Sequence, residues 1–249
     1  MTGIINRIAP SIADWLKRYW RAVYAVYVQL STLRWRWHRK TREEIHAYWR
    51  HPSDGRNLPQ DYARGNECSE FLVNLIKRYG TPQSAILEIG CNVGRNLHYL
   101  SVNGFRQLTG IEISDEAVKL GRATYPEMRE QVKVVNAPAE EALPAFGGNA
   151  FDIVFTMAVL QNIHPESQLV FSEMARITKA FLITIEDEHG VSWRRFPRNY
   201  KMVFEVLGFK QVYESKCDEV VGLGRNFVAR VFRKNSACGQ SALRAPECN

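Results

Sequence analysis

Hydrophobic patterns typical of strands alternate with patterns typical of helices along most of this chain. Seven apolar runs of strand length occur after residue 80, and segments with apolar residues at helical spacing separate most of them. Strands that alternate with helices form a mostly parallel sheet covered by helices on both faces. The pattern therefore predicts a doubly wound α/β fold with a seven-stranded sheet. The predicted strands are residues 85–89, 107–112, 132–136, 151–156, 181–185, 210–214 and 227–232. The helices that go with them are predicted over residues 71–76, after Gly94, after Ser114, over residues 165–177 and over residues 200–207.

The N-terminal region has a different pattern. Behind a Ser11 N-cap, apolar residues recur at helical spacing from Ile12 to Leu33, with many basic and aromatic residues among them. This pattern predicts a basic, amphipathic helix rich in aromatic side chains. Such a helix can cap the open face of an α/β domain, lie in a membrane interface through residues 11–40, or bind nucleic acid. We favour the first two roles over the third.

A second short helix is expected after this arm, because Thr41 and Glu44 have the spacing of a capping box. Residues 51–60 are rich in turn-forming residues, and we place the boundary of the main domain there. The last residues lack a periodic pattern and are predicted to form a loose tail. The predicted division is a helical arm at 1–60, a main domain at 61–233 and a tail at 234–249.

Charge is unevenly distributed along the chain. The net charge is +7, and the first 50 residues contain ten Lys and Arg residues against three acidic ones, so the remainder is neutral. The basic character therefore belongs to the arm. Five scattered cysteines form no Cys-x-x-Cys pair, and no two histidines have ligand spacing, so neither a disulfide framework nor a metal site is indicated. With no apolar run of spanning length and no signal-peptide pattern, we expect a cytoplasmic protein, with membrane association through the arm as an alternative.

The first predicted strand ends in a glycine turn that is suited to hold a ligand. Gly90 and Gly94 follow Glu88 and precede a helix, so the main chain can adopt positive φ and the helix N-terminus offers free N–H groups. A dinucleotide fingerprint would need Gly-x-Gly-x-x-Gly, whereas the three positions here are Gly90, Asn92 and Arg95. A phosphate loop would need Gly-Lys-Ser/Thr, which does not follow.

This turn resembles motif I of the class I S-adenosylmethionine (SAM) dependent methyltransferases, Glu/Asp-x-Gly-x-Gly-x-Gly. Glu88, Gly90 and Gly94 match the motif, and Asn92 replaces the middle glycine. The resemblance implies the Rossmann-like methyltransferase fold and SAM as cofactor. Glu112 ends the second predicted strand, where a carboxylate can accept hydrogen bonds from both ribose hydroxyls.

Two further segments extend the resemblance over residues 84–233. Residues 136–140 align with a segment in which family members often have Asp for the adenine amino group; Pro138 takes that place, so Asn136, Glu140 or the Ala139 backbone would substitute. Residues 151–165 resemble the fourth-strand signature of small-molecule methyltransferases. In it Asp152 is expected to be structural, and Thr156 and Met157 to line the cofactor pocket. The resemblance implies these cofactor-binding residues: Glu88, Gly90, Cys91, Asn92, Gly94, Glu112, Ile113, Ala139, Glu140, Thr156 and Met157.

Methyl transfer from an activated sulfonium requires alignment of the acceptor and, where the acceptor has a proton, a base. His164 and Gln161 are the candidate catalytic residues; a helix cap is the alternative role for His164. Residues 186–188, Glu-Asp-Glu, and His189 lie near the same predicted sheet end. We expect the acidic cluster to be a solvated loop, with a site for a cationic acceptor or a metal as alternatives.

The sequence thus predicts a SAM-dependent methyltransferase that acts on oxygen or nitrogen of a small-molecule acceptor. One alternative is an enzyme that methylates a lipid or lipid-linked acceptor at a membrane surface, because of the basic aromatic arm. Another is a non-catalytic SAM-binding module, because Asn92 and Pro138 depart from the family pattern. No Asn/Asp-Pro-Pro-Tyr motif is present, which disfavours amino methylation of DNA bases or of glutamine. The sequence identifies neither the acceptor nor the oligomeric state.

Overall fold

The computed structural model describes residues 40–63 and 67–235, and from Thr41 onward they belong to one compact unit. The predicted helix from Ser11 and the tail beyond Asn235 lie outside the described residues. Within the described ranges, no helix is long and apolar enough to cross a membrane. The domain boundaries given above stay a prediction.

A seven-stranded sheet forms the centre of the molecule, with the strand order β3-β2-β1-β4-β5-β7-β6. Strands β1 to β5 are parallel, and β7 pairs antiparallel with both β5 and β6. The predicted fold class is therefore confirmed. The strands are β1 Ala85–Ile89, β2 Gln107–Glu112, β3 Val132–Asn136, β4 Phe151–Met157, β5 Thr178–Asp187, β6 Phe209–Lys216 and β7 Phe227–Lys234.

Helices cover both faces of this sheet and pack into two apolar clusters. Leu72, Ile76 and Leu97 belong to the cluster on one face, and Phe171 and Phe204 belong to the cluster on the other. The α-helices are α1 Arg42–Arg50, α2 Pro59–Tyr62, α3 Glu67–Lys77, α4 Arg95–Val102, α5 Asp115–Thr124, α6 Met128–Gln131, α7 Ala139–Ala142, α8 Leu169–Ile177 and α9 Tyr200–Val206.

Several predicted boundaries need correction. The helix predicted over residues 165–177 is a short 3₁₀ turn at Pro165–Ser167 followed by α8. Strand β5 runs through Asp187, because it pairs with β4 on one side and with β7 on the other. Strand β7 includes Lys234, whose ammonium donates to the carbonyls of Thr178 at 2.6 Å and Ala175 at 2.7 Å.

The strand order places a crevice at the carboxyl ends of β1 and β4. From this point the chain connections run toward opposite edges of the sheet, since β2 and β3 lie beyond β1 while β5 lies beyond β4. In open parallel sheets, ligands bind in the crevice outside the strand ends at such a switch point. Loops after β1, β2, β3 and β4 meet there, and they contain most of the residues predicted to bind a cofactor.

Candidate active site

The turn after β1 has the left-handed backbone that its sequence suggests. Gly90, Asn92 and Gly94 have φ values of 73°, 50° and 77°. A Cβ atom on Gly90 would lie 2.5 Å from Cγ2 of Val159, so only glycine fits there. Asn is one of the few residues with a side chain that tolerate the left-handed region. The replacement of the middle motif glycine by Asn92 therefore preserves the shape of the turn.

Glu112 is fixed against this turn at the end of β2. Its two carboxylate oxygens accept the main-chain N–H groups of Asn92 and Ser114, each at 2.8 Å. Burial raises the pKa of Glu112, although the main-chain N–H groups act in the opposite direction. Each carboxylate oxygen has a second lone pair. Glu112 can therefore accept two hydroxyl donors from a ligand in the crevice while it holds the turn.

Glu88 is a buried carboxyl group with one oxygen that has no protein partner. Its Oε1 accepts from Nδ2 of Asn96 at 2.7 Å, whereas its Oε2 has no hydrogen-bond partner among the described residues. Only 2% of the residue is exposed. Burial raises the pKa of Glu88 to about 8, against the opposing hydrogen bond from Asn96. Such a group can bind a cationic ligand that supplies the missing donor.

Asn96 is oriented by two residues that the sequence analysis did not select. Ser69 donates to Oδ1 of Asn96 at 2.7 Å, and Nε of Arg95 donates to Oγ of Ser69 at 3.0 Å. The acceptor role of Asn96 Oδ1 turns its Nδ2 toward Glu88. Arg95 and Asn96 could have been selected from the sequence, because they stand directly after the glycine turn and the first turn of the following helix must face the crevice. Ser69 belongs to α3, and nothing in the local pattern marks it.

One cavity of about 400 Å³ is lined by Glu88, Asn92, Arg95, Asn96 and Glu112. Besides the loops at the strand ends, its walls include residues of α1, α2 and α3 and of the β6–β7 connection. The predicted residues in the walls are Glu88, Gly90, Cys91, Asn92, Glu112, Ile113, Ala139, Glu140, Met157 and His164.

Four predicted residues lie in described parts of the chain but outside these walls. Asn136, an alternative adenine contact, donates from Nδ2 to the carbonyl of Glu112 at 2.8 Å. Gly94 is close to Met128, since a Cβ atom on it would lie 2.7 Å from Cε of that methionine. Thr156 is fully buried within β4. Gln161 is also buried, and its Oε1 accepts the N–H of Asp187 at 2.8 Å. The side chain of Gln161 therefore joins the loop after β4 to the end of β5.

His164 lines the cavity and also caps the short turn that follows it. Its Nδ1 accepts the N–H of Glu166 at 3.2 Å. Its ring packs edge-on against the Phe196 ring, with the two ring centroids 5.3 Å apart. The predicted helix-cap role is therefore present, while the ring remains part of the cavity wall.

Helix α1 supplies wall residues that the sequence analysis missed. Nε2 of His46 lies 3.2 Å from Oε1 of Glu140, and Nε1 of Trp49 is buried with no partner among the described residues. Burial acts to raise the pKa of Glu140, but hydrogen bonds from His46 and Ser167 outweigh it and lower the value to about 2. The capping box predicted this helix correctly. Only tertiary packing shows which of its faces the cavity meets.

The acidic segment 186–188 is not the solvated loop that we predicted. Glu186 and Asp187 are buried at the end of β5. Glu186 accepts the N–H groups of Val159 at 3.1 Å and Gln161 at 3.3 Å, and burial raises its pKa to about 7. The Glu186 carboxylate therefore holds the loop after β4 in place, whereas the Asp187 carboxylate accepts the N–H groups of His189 at 3.0 Å and Gly190 at 2.7 Å. Within the described residues, no group of three or more His, Cys, Asp or Glu side chains is arranged to hold a metal ion.

Comparisons with known proteins agree with this geometry. Residues 87–180 match the family model described as a methyltransferase domain. The chain is 27% identical over 161 residues to the ubiquinone biosynthesis O-methyltransferase of Aromatoleum aromaticum, a match that covers 59% of this chain and 65% of that protein. It is 30% identical over 125 residues to the peramine synthetase of Metarhizium rileyi, which covers 49% of this chain and 4% of that protein. The chain thus spans less than two thirds of the length of these relatives.

Solved structures show the same fold. The magnesium protoporphyrin IX methyltransferase of Synechocystis with bound SAM has a TM-score of 0.59 at 16% identity, over 78% of this chain and 96% of that one. The 1,6-didemethyltoxoflavin-N1-methyltransferase of Burkholderia thailandensis, with bound 1,6-didemethyltoxoflavin and S-adenosylhomocysteine, has a TM-score of 0.58 at 16% identity, over 78% and 87%. The matched domain at residues 87–180, the sheet order and the glycine turn together support a place for this chain in the class I S-adenosylmethionine-dependent methyltransferase superfamily.

Proposed function

We propose that this protein is a SAM-dependent methyltransferase that transfers a methyl group to oxygen or nitrogen of a small-molecule acceptor. The observation that carries the proposal is the pair Glu88 and Glu112 in one cavity. Glu88 offers a buried oxygen that lacks a donor, and Glu112 offers lone pairs at the rim of the glycine turn. A SAM molecule has an ammonium group for the first and two ribose hydroxyls for the second.

The remaining wall residues fit the other parts of this cofactor. Ala139 and Glu140 follow β3, on the far side of Glu112, where the adenine would lie. Met157 is the last residue of β4, on the opposite side of β1. When bound, SAM supplies a methyl group that is already activated by its sulfonium charge. The protein's own contribution is then to align an acceptor and to exclude water from the cavity.

Two residues after β4 are assigned roles toward the acceptor. We assign the proton-accepting role to His164, because its ring lines the cavity. Since a neutral imidazole has one acceptor nitrogen, this role requires the ring to release the N–H of Glu166 and to carry its own proton on Nδ1, so that Nε2 can accept. It also requires an acceptor that loses a proton during the reaction. We assign Gln161 a positioning role, since its side chain joins the same loop to the main chain of Asp187.

Calorimetry with SAM and with NAD tests the proposal. We expect SAM to bind and NAD not to bind, because the turn lacks the third glycine that a pyrophosphate needs. Glu112→Ala should weaken SAM binding by about tenfold or more, since it removes two charge-assisted hydrogen bonds. Asp115→Ala removes an exposed carboxylate three residues later and is the matched control. Binding of NAD, or unchanged SAM affinity in Glu112→Ala, would contradict the proposal.

The acceptor can be identified by an untargeted search for methylated products. The proteins that this chain resembles are named for acceptors as different as a porphyrin and a toxoflavin precursor, so similarity does not select one. We would incubate the enzyme with a native extract and SAM bearing a deuterated methyl group, and search for labelled products by mass spectrometry. Tight SAM binding with no labelled product would favour a non-catalytic SAM-binding module.

A second candidate function is methylation of a lipid or lipid-linked acceptor at a membrane surface. It is motivated by the basic, aromatic-rich sequence of residues 11–40. Cosedimentation with anionic lipid vesicles should then be lost in a variant that lacks residues 1–40. Equal cosedimentation of the two proteins would exclude this role for the arm. In either case we propose a cytoplasmic site of action, in keeping with the free cysteines at 68, 91 and 217.

A further inference from the structure

Asn162 has a buried side-chain oxygen atom that no residue in the described part of the chain hydrogen-bonds. It lies in the short 3₁₀ turn Leu160–Asn162 after β4, and it lines the cavity. Only 8% of the residue is exposed. Its Nδ2 donates to the carbonyl of Ala158 at 3.0 Å, whereas its Oδ1 has no partner among the described residues. Because buried polar atoms are almost always hydrogen-bonded, this oxygen calls for a donor from outside the described residues, and a ligand in the cavity can supply one.

The orientation of the Asn162 amide follows from its surroundings. If its oxygen and nitrogen were exchanged, two oxygens would face each other across the 3.0 Å contact with Ala158. Ala158 is itself held, since its N–H donates to the carbonyl of Ile185 at 2.9 Å. The Oδ1 atom is therefore a fixed hydrogen-bond acceptor. It can accept an O–H or an N–H group and cannot donate to a carboxylate or an ether.

The sheet order separates Asn162 from the nucleoside end of the cavity. Glu112 ends β2, and Ala139 and Glu140 follow β3, both on one side of β1. Asn162 follows β4, on the other side of β1. If the cofactor lies as proposed above, Asn162 faces the half of the cavity left for the acceptor.

We infer that Asn162 is a specificity-determining residue that selects acceptors with a hydroxyl or amine hydrogen-bond donor. The inference rests on the proposed function, because it takes the nucleoside half of the cavity to be filled by the cofactor. Apolar side chains of Met157, Val159 and Ile163 line the cavity beside Asn162. The acceptor class is therefore a small molecule with an apolar body and an O–H or N–H group.

Binding of matched probe pairs tests this inference in the unmodified protein. We would saturate the full chain with S-adenosylhomocysteine and titrate phenol against anisole, catechol against veratrole, and aniline against N,N-dimethylaniline, with ligand-observed NMR. The donor-bearing member of each pair should bind about tenfold more tightly, because the blocked member leaves Oδ1 of Asn162 unpaired. Equal affinities within the pairs, or no binding of any donor-bearing probe up to its solubility limit, would overturn the inference.

A substitution tests whether the side chain of Asn162 causes the preference for donor-bearing probes. Asn162→Leu should abolish the preference for donors and leave the affinity for S-adenosylhomocysteine unchanged. Asn103→Leu, at an exposed helix end outside the cavity, should retain the preference. A retained preference in Asn162→Leu would overturn the inference, and so would an equal loss of S-adenosylhomocysteine binding, which would assign Asn162 to the cofactor.

The two proposals fail in different ways. If the unmodified protein binds neither SAM nor S-adenosylhomocysteine, the proposed function is wrong. If it binds them but does not distinguish the probe pairs, only the inference about Asn162 is wrong. Should Asn162→Leu not fold, the probe pairs still decide with the unmodified protein.

Discussion

Glu88 shows at the scale of one residue how binding and stability can oppose each other. One carboxylate oxygen is bonded to Asn96, the other has no donor within residues 40–63 and 67–235, and the side chain is almost fully buried. Burial disfavours the charged form, so the pKa of Glu88 is raised to about 8. The charged form is, however, the one that attracts an ammonium group. A cationic ligand would supply the missing hydrogen bond and the missing charge together.

We therefore expect Glu88→Gln to stabilise the free protein and to weaken SAM binding. Above pH 8, the charged carboxyl costs about 1.4 kcal/mol for each unit by which its pKa is raised, and the amide avoids this cost. Thermal unfolding should show a midpoint at least about 2 °C higher than that of the unmodified protein at pH 8.5. Calorimetry should show an affinity for SAM lower by about tenfold or more.

The same comparison at pH 5 is the internal control for Glu88. At that pH the folded protein holds Glu88 in its neutral form, so the gain in stability should largely disappear. An equal difference in midpoint at both pH values would show that the gain arises from packing and would contradict the electrostatic explanation.

His164 is the second residue with a separable role. With the acceptor identified by the labelled-methyl experiment, His164→Ala should lower kcat by about 10²- to 10⁴-fold if the ring accepts the proton. SAM affinity should change little, because the ring is placed on the acceptor side. His189→Ala removes an exposed histidine and is the matched control. Equal rates in the two variants would remove the assignment of His164.

At this scale, the sequence predicted the residues that belong to a continuous motif. Glu88, Gly90, Asn92 and Glu112 were selected because strand ends and glycine turns leave local patterns; all four line the cavity, and their binding roles stay a prediction. Asn162 and Trp49 could not be found in this way. Their importance lies in a buried atom without a partner, which depends on what several distant segments leave uncovered.

At the scale of elements, the end of β5 is joined to the β6–β7 hairpin by a buried ion pair. The guanidinium of Arg230 binds both carboxylate oxygens of Glu188, at 2.7 Å and 2.9 Å. It also donates to Gln211 at 2.8 Å and to Glu214. The side chains of Arg230 and Glu188 are 9% and 6% exposed. This pair fixes the strand end from which Glu186 and Asp187 hold the loop after β4.

We expect Arg230→Met to destabilise the protein by about 3–5 kcal/mol, because it leaves Glu188 buried and unpaired. Arg176→Met breaks a more exposed pair with Glu173 within α8 and should cost much less. Urea denaturation of the two variants measures the difference. Similar losses in both variants would show that burial of the Arg230 pair does not matter.

The acidic segment also shows where a local sequence pattern predicts the wrong element. Residues 186–188 read as a charged loop, since three adjacent carboxylates are rarely buried. They are buried here because each carboxylate has donors: N–H groups of the loop after β4 for Glu186, N–H groups two and three residues later for Asp187, and Arg230 on β7 for Glu188. The partners of Glu186 and Glu188 come from distant parts of the chain. The strand and helix order was predictable from local periodicity, but the extension of β5 through Asp187 was not.

At the scale of the whole molecule, buried carboxyl groups link stability to pH. The pKa of Glu88 is raised to about 8 and that of Glu186 to about 7, and that of Glu112 is also raised, in each case chiefly by burial. Between about pH 4.5 and pH 8, the folded state binds more protons at these sites than the unfolded state does. Stability therefore falls as the pH rises through this window.

Thermal unfolding measured from pH 5 to pH 8.5 should show a steadily decreasing midpoint. Glu186→Gln combined with Glu88→Gln should flatten the curve, because neither amide titrates. Below about pH 4.5 the direction reverses, since the pKa of Glu140 is lowered to about 2 and its stabilising contacts are lost on protonation. A midpoint that rises between pH 5 and pH 8 would contradict the assigned burial of these carboxyl groups.

The position of helix α1 has a practical consequence for anyone who redesigns this protein. Its side chains Ile45, His46 and Trp49 form part of the cavity wall, yet they precede the matched domain at residues 87–180 by some forty positions. A recombinant fragment trimmed to the borders of that match would keep the glycine turn and lose one wall of its own pocket. Transplanting α1 between relatives is correspondingly a route to altered ligand selection that leaves the sheet untouched.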